Sequence, residues 1–154
     1  MDQHGAFMQR AIDLSRRALD EPGLRPFGAV VVKDGHVVGE GVNMADGRHD
    51  PTSHGEVEAI RAACAKLATT DLSGCDLYTS CEPCAMCTAA MHLARIARVF
   101  YAASAEDSAA AFAGAGKTSS VMPPADLREQ VGQPVHARRM PAEPVLRAPA
   151  VAII

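Results

Sequence analysis

Four side chains in this sequence have the types and spacing to do chemistry together. An imidazole and a carboxylate arrive as His54-Gly55-Glu56, and two thiols follow as Pro83-Cys84-Ala85-Met86-Cys87. Imidazole and thiolate are donors that zinc takes in a tetrahedron, and a catalytic zinc keeps its fourth position for water. His54, Cys84 and Cys87 make three donors, so one Zn2+ per chain would keep that position open. Cys84 and Cys87 are three apart, which puts both on one face of a helix. With Cys84 in the first turn, the positive helix end favours both thiolates. Pro83 suits the helix entry, where its missing N–H has no consequence. A zinc-coordinated water falls from a pKa of 15.7 to about 7, which makes hydroxide about 12 kcal/mol more accessible at neutral pH. Glu56 is then free of ligand duty. Two residues from His54, it can take the proton of that water and deliver it elsewhere.

Other chemistries use parts of this pattern. A Cys-x-x-Cys pair alone serves structural zinc or redox work. Cys81-x-x-Cys84-x-x-Cys87 has iron–sulfur spacing, but no cysteine follows Cys87, so a fourth thiolate would have to come from Cys64 or Cys75. A four-thiolate structural zinc needs two separated pairs, and the second is absent. The upstream His54 and Glu56 favour the open, catalytic arrangement.

Apolar periodicity supplies the elements that must carry these residues. Phe7, Ala11, Leu14 and Ala18 predict a helix from about 4 to 20, ended by Glu21-Pro22-Gly23. Phe27 to Lys33 and His36 to Asn43 read as strands joined by an Asp34-Gly35 hairpin turn. Gly28 inside a strand implies a close backbone approach, with a ligand as one candidate. The polar loop from Met44 to Ser53 delivers the chain to a helix from Ser53 to Leu67. There Ser53 is the expected N-cap, with His54 and Glu56 in the first turn. Cys64 lies on the apolar stripe of that helix and reads as a buried small hydrophobe. Cys75 to Ser80 is a third strand, Cys84 to about Ala94 a helix, and Ile96 to Ala102 a fourth strand. Two strand–helix–strand crossovers imply parallel pairing. Ser104 to Phe112 reads as a helix capped by Ser104, followed by a Gly114-Ala115-Gly116-Lys117 loop. A short helix at Asp126 to Val131 and an edge strand at Val135-His136-Ala137 complete the elements. From about 132 to 154 the chain is an irregular proline-rich tail, and its apolar end, Ala148 to Ile154, is expected to pack on the protein's own core or on a partner subunit.

The 154 residues are expected to form one domain, long enough to bury a core. No apolar run reaches 18 residues, so no membrane span is expected. The start, Met1-Asp2-Gln3-His4, lacks the features of a signal peptide. Five cysteines between 64 and 87, an odd number, suit a reducing cytoplasm and metal ligation better than a disulfide framework. A net charge of −3 argues against a polyanionic partner such as nucleic acid.

The order His-x-Glu…Pro-Cys-x-x-Cys matches the signature of zinc nucleobase deaminases. From about Phe7 to Asp107 the chain resembles the cytidine deaminase superfamily. The resemblance rests on Pro26-Phe27-Gly28-Ala29-Val30, on Asp50 to Glu56 and on Tyr78 to Cys87. Within the superfamily it is most similar to bacterial guanine deaminases and related free-base deaminases. The resemblance implies a three-layer α/β/α fold with a central mixed five-stranded sheet, and a dimer. It implies His54, Cys84 and Cys87 as zinc ligands and Glu56 as the proton shuttle. It also implies substrate contacts from Asn43, Phe27, Gly55 and Ala29.

Two departures bear on the substrate. Guanine deaminases of this type carry an acid near the stretch that here reads Phe112-Ala113-Gly114-Ala115-Gly116, and close the site with an aromatic tail. Nothing after Phe112 is aromatic here. Both absences shift the expectation toward a smaller ring such as cytosine, isocytosine or an amino-triazine. Glu106 or Asp107 could stand in for the acid, or simply start a solvated helix. His49 and His92 read as surface or packing histidines. Four functions follow: deamination of a free base, of adenosine in tRNA, of a free nucleoside, or a non-catalytic zinc module. Gly47 to Thr52 resembles the tRNA branch, but the tail offers only Arg138, Arg139 and Arg147 to grip RNA.

Overall fold

The computed structural model describes residues 3–116, 124–140 and 142–153. The chain divides into two compact units, Met1–Ser119 and Ser120–Ile154. The first opens with α1, Gln3–Arg16, extended by a 3-10 turn at Arg17–Leu19, and the helical stripe buries Ala11 and Leu14. Strands β1 (Arg25–Lys33) and β2 (His36–Asn43) follow. Asp34 and Gly35 both take positive φ, 48° and 75°, as a tight hairpin turn of this hand requires. The loop after β2 contains one short helix, α2 (Ala45–Arg48). Then come α3 (Gly55–Leu67), β3 (Asp76–Cys81), α4 (Ala85–Leu93), β4 (Arg98–Ala103) and α5 (Ala105–Gly114). The second unit holds α6 (Pro124–Gly132), a 3-10 turn at Val135–Ala137 and α7 (Arg147–Val151).

The sheet runs β2-β1-β3-β4. β1 pairs antiparallel with both β2 and β3, and β3 pairs parallel with β4. The described residues thus form four strands, not the expected five. The extra candidate, Val135-His136-Ala137, is instead a 3-10 turn closed by Ala137 N–H to Pro134 O at 2.9 Å. Three residues behind a proline are too few to sustain a ladder. The β3–α4–β4 crossover gives the expected parallel pair. β2 and β3 also run the same way, but β1 lies between them.

Alternation along β1 divides the core. Ala29 and Val31 face α3 and α4, where Ala59, Ile60, Ala63, Leu77, Cys87 and Met91 join them. Val30 and Val32 face α1 and pack with Leu14 and Tyr78. Helices therefore cover both faces. The approach is close. A Cβ on Gly28 would lie 2.4 Å from Ala11 O in α1, so this glycine makes room for a helix and not for a ligand. A Cβ on Gly41 would lie 2.2 Å from Gly55 O, which seats the first turn of α3 directly on β2. No helix among the described residues is long and apolar enough to cross a membrane.

Candidate active site

Two helix starts face each other here. His54 is the N-cap of α3 and Cys84 the N-cap of α4, both with extended backbone. Glu56 and Cys87 then fall in the first turns, near the positive helix ends. The expected N-cap, Ser53, is one residue too early. The His54 N–H is already turned back onto Thr52 O at 2.8 Å, and the fully buried Ser53 donates its hydroxyl to Glu58 Oε1 at 2.9 Å.

His54 Nδ1 lies 3.7 Å from Cys84 Sγ and 3.5 Å from Cys87 Sγ, and the two sulfurs are 3.6 Å apart. Tetrahedral zinc with ordinary bond lengths needs edges of roughly 3.6 Å between N and S and roughly 3.8 Å between two sulfurs. All three distances fall within a few tenths of an ångström of that triangle. Among the described residues, this is the group of His, Cys, Asp and Glu whose donor atoms converge closely enough to hold a metal ion. Cys64, Cys75 and Cys81 stand outside it, which removes the donors an iron–sulfur cluster would need. Glu56 is not one of the three, yet its Oε2 comes within 3.4 Å of Cys87 Sγ.

The other anticipated residues are placed as follows. Asn43, at the end of β2, is buried, and its Oδ1 accepts from Ala45 N–H at 3.1 Å. Gly55 sits against Phe27, since a Cβ there would be 2.7 Å from Phe27 O. The half-buried Phe27 ring meets Phe112 with centroids 5.9 Å apart. Ala29 is fully buried and belongs to the core between sheet and helices. Glu106 and Asp107 are exposed. Asp107 accepts from the Ser104 N–H and hydroxyl, both at 2.8 Å, and so completes the cap of α5. His49 and His92 are exposed, His49 as the left-handed residue that ends α2. The Ser53–Glu58 contact and the Phe27–Phe112 pair were not foreseen. A second acid in the first turn of α3, with Arg61 three residues on, was the available signal for the first.

Residues 1–103 match the family model for the zinc-binding region of cytidine and deoxycytidylate deaminases. The chain belongs to this deaminase family. It is 48% identical to a guanine deaminase from Bacillus subtilis over 108 residues, 70% of this chain and 69% of the relative. The X-ray structure of guanine deaminase from Bacillus subtilis superposes with a TM-score of 0.85 at 37% identity, covering 99% of this chain and 91% of that one. A tRNA-specific adenosine deaminase from Aquifex aeolicus is 41% identical over 63% of this chain, which spans 64% of that relative's length. A guanine deaminase from Nitrosomonas europaea superposes with a TM-score of 0.63 at 32% identity, over 68% of this chain and 61% of that one.

The two thiols of this deaminase share one proton between them. The Cys84 thiol is lowered to about 4, first by the hydrogen bond from Cys87 and further by His54. Cys87 is pushed up, because it is the partner that keeps the proton and because it is buried beside Glu56. His54 is raised by its bond to the Cys84 thiolate, against the opposing effect of burial. Glu56 is raised by burial, against the lowering effect of its hydrogen bonds.

Proposed function

We propose that this deaminase hydrolyses the exocyclic amino group of a free nucleobase or a related amino-heterocycle, releasing ammonia, with one Zn2+ per chain. The observation that carries the reading is the His54–Cys84–Cys87 triangle with Glu56 beside it. Zinc, when bound, supplies a Lewis acid that brings water close to ionisation at neutral pH. Glu56 would take one proton of the attacking water at Oε2 and give it to the ring nitrogen beside the aminated carbon, then take the proton left on the added oxygen and give it to the departing amine. The carbon exchanges its C–N bond for C–O, and ammonia leaves. Asn43 has Oδ1 engaged by Ala45, so its NH2 group is what it offers to an acceptor on the ring. Phe27, held against Gly55, offers an apolar surface for the base.

A free base is favoured by the likeness to the Bacillus enzyme along nearly the whole chain. A solved relative, 31% identical, holds 2,6-diaminopurine, an amino-substituted free base. Glu106 and Asp107 are both exposed, which supports rings smaller than guanine as well. Ammonia release from guanine, cytosine, isocytosine, adenine, azacytosine, ammeline and the matching nucleosides tests the reading. Turnover of nucleosides alone, or of none of them, would overturn it. The likeness to tRNA-specific adenosine deaminases supports a second reading. That reading requires RNA affinity that falls steeply with salt, in spite of the net charge of −3.

We further propose a cytoplasmic homodimer. Strand β4 is a sheet edge with Val99 41% and Tyr101 52% exposed, and Leu93 at the end of α4 is 85% exposed. Such an apolar edge is normally covered. Five unpaired cysteines suit a reducing compartment. Sedimentation at micromolar concentration as a single-chain species would count against the dimer.

A further inference from the structure

We infer that Glu58 is a positioning residue that sets His54 and Asn43 together, although it touches neither metal nor substrate. The inference rests on the zinc reading of the site and extends it outward by one residue.

Glu58 lies in the first turn of α3, and its side chain is only 11% exposed. Oε2 accepts from Arg48 Nη1 at 2.7 Å, and Oε1 from Arg61 Nη1 at 2.5 Å and Ser53 Oγ at 2.9 Å. The two arginines are about half exposed, so as ion pairs they would contribute little to stability. Ser53 is another matter. It is fully buried, and its carbonyl accepts from Met44 N–H, the residue after Asn43, at 2.9 Å. Its neighbour on the other side is His54. Glu58 also donates its own N–H to His54 O at 2.9 Å. That bond is the ordinary backbone bond of the helix; the Glu58 side chain grips the joint between the end of β2 and the start of α3 through the Ser53 hydroxyl.

Other polar anchors hold the same segment, among them Gly47 N–H to Gly23 O at 2.9 Å and the Arg25–Asp46 ion pair at 2.7 Å, but none of them reaches the Ser53 hydroxyl. From 46 to 52 the loop is exposed except for the half-buried Asp50, and its register depends on polar anchors. Arg48 ties the end of α2 to the same carboxylate. Without that carboxylate, the buried Ser53 hydroxyl loses its acceptor and must move to find another. Any shift there carries Asn43 and His54 with it.

The test uses the zinc-loaded full chain, with zinc affinity read by competition against a chromophoric chelator. KM and kcat are taken on whichever base the wild type deaminates. Glu58→Ala is expected to weaken zinc about tenfold, the lower end for partners one shell out from a metal, and to raise KM more than it lowers kcat. Ser53→Ala, which deletes the same bond from the other side, is expected to match it. Glu58→Gln keeps an acceptor for Ser53 and is expected to stay within about threefold of wild type, a rescue that a merely structural charge would not give. Unchanged zinc affinity and KM in Glu58→Ala and Ser53→Ala, with only a lower melting temperature, would overturn the inference. If Glu58→Ala gives no folded protein, Ser53→Ala and Glu58→Gln decide by the same readouts. A wild type that binds no zinc would instead overturn the reading of the site.

Discussion

At the scale of the residue, burial and charge separate two jobs within one short motif. His54 and Glu56 are two apart, yet only His54 joins the metal triangle, while burial raises the Glu56 carboxyl beside it. Glu56→Ala should therefore keep one zinc per chain and lose ammonia release by about 10²–10⁴-fold, the usual span for a general acid–base group. Retained turnover with full zinc would remove Glu56 from the mechanism. The thiols give a second expectation. Cys84→Ser or Cys87→Ser should abolish stoichiometric zinc, whereas Cys64→Ser should leave it intact, as measured by metal analysis of the purified chains. Zinc lost from Cys64→Ser would mean a donor set larger than three. The four chemical residues were legible in the sequence because metal donors reveal themselves by type and spacing. Asp107 was not, because an acid three residues after a serine serves a helix cap as readily as a substrate, and only the bonds to Ser104 decide it. Glu58 was missed for a similar reason. An acid on a helix that carries an arginine three positions later looks like an ordinary surface pair until the buried Ser53 is seen beneath it.

At the scale of the element, what matters is how closely helix and strand backbones approach. The hydrophobic period located α1, α3, α4 and their strands within a few residues, because those stripes bury a core. It could not locate the start of α3 to the residue, since capping depends on where the chain enters. The loop before it turns His54 N–H back onto Thr52. Nor does periodicity reveal which strand glycines face a helix. Gly41 does, and its missing side chain lets Gly55 O and Ala59 N come within reach of β2. Gly41→Ala would force α3 off the sheet at the turn that bears His54 and Glu56. Overpacking of this kind costs about 1–3 kcal/mol or more. Zinc affinity should fall with it, because the displaced turn carries a ligand. A thermal melt and a chelator titration on the same variant check the pair of effects. Destabilisation with unchanged zinc affinity would mean that the site tolerates the shift.

At the scale of the whole molecule, strand order was the least legible feature. Two crossovers promised parallel neighbours, but hydrogen bonding on both edges of β1 inserted that strand between β2 and β3. Contacts between layers are invisible to periodicity in the same way. Arg10 on α1 reaches Glu40 on β2, thirty residues on, with two bonds of 2.7 Å. The guanidinium holds the Glu40 carboxyl below its ordinary 4.5, the hydrogen bond contributing first and the charge after it. A carboxyl lowered in the folded chain stabilises it above the unfolded value, and that contribution disappears as pH falls through the folded one. With side chains 51% and 36% exposed, the pair is worth at most about 0.5–1 kcal/mol. Glu40→Gln should thus be less stable than wild type by about that amount at pH 7, in urea unfolding, and the gap should close as the pH approaches 3. Acid effects on the zinc site are common to both proteins and cancel in the comparison. A gap that persists undiminished at pH 3 would show that the charge of Glu40 is not what ties α1 to the sheet.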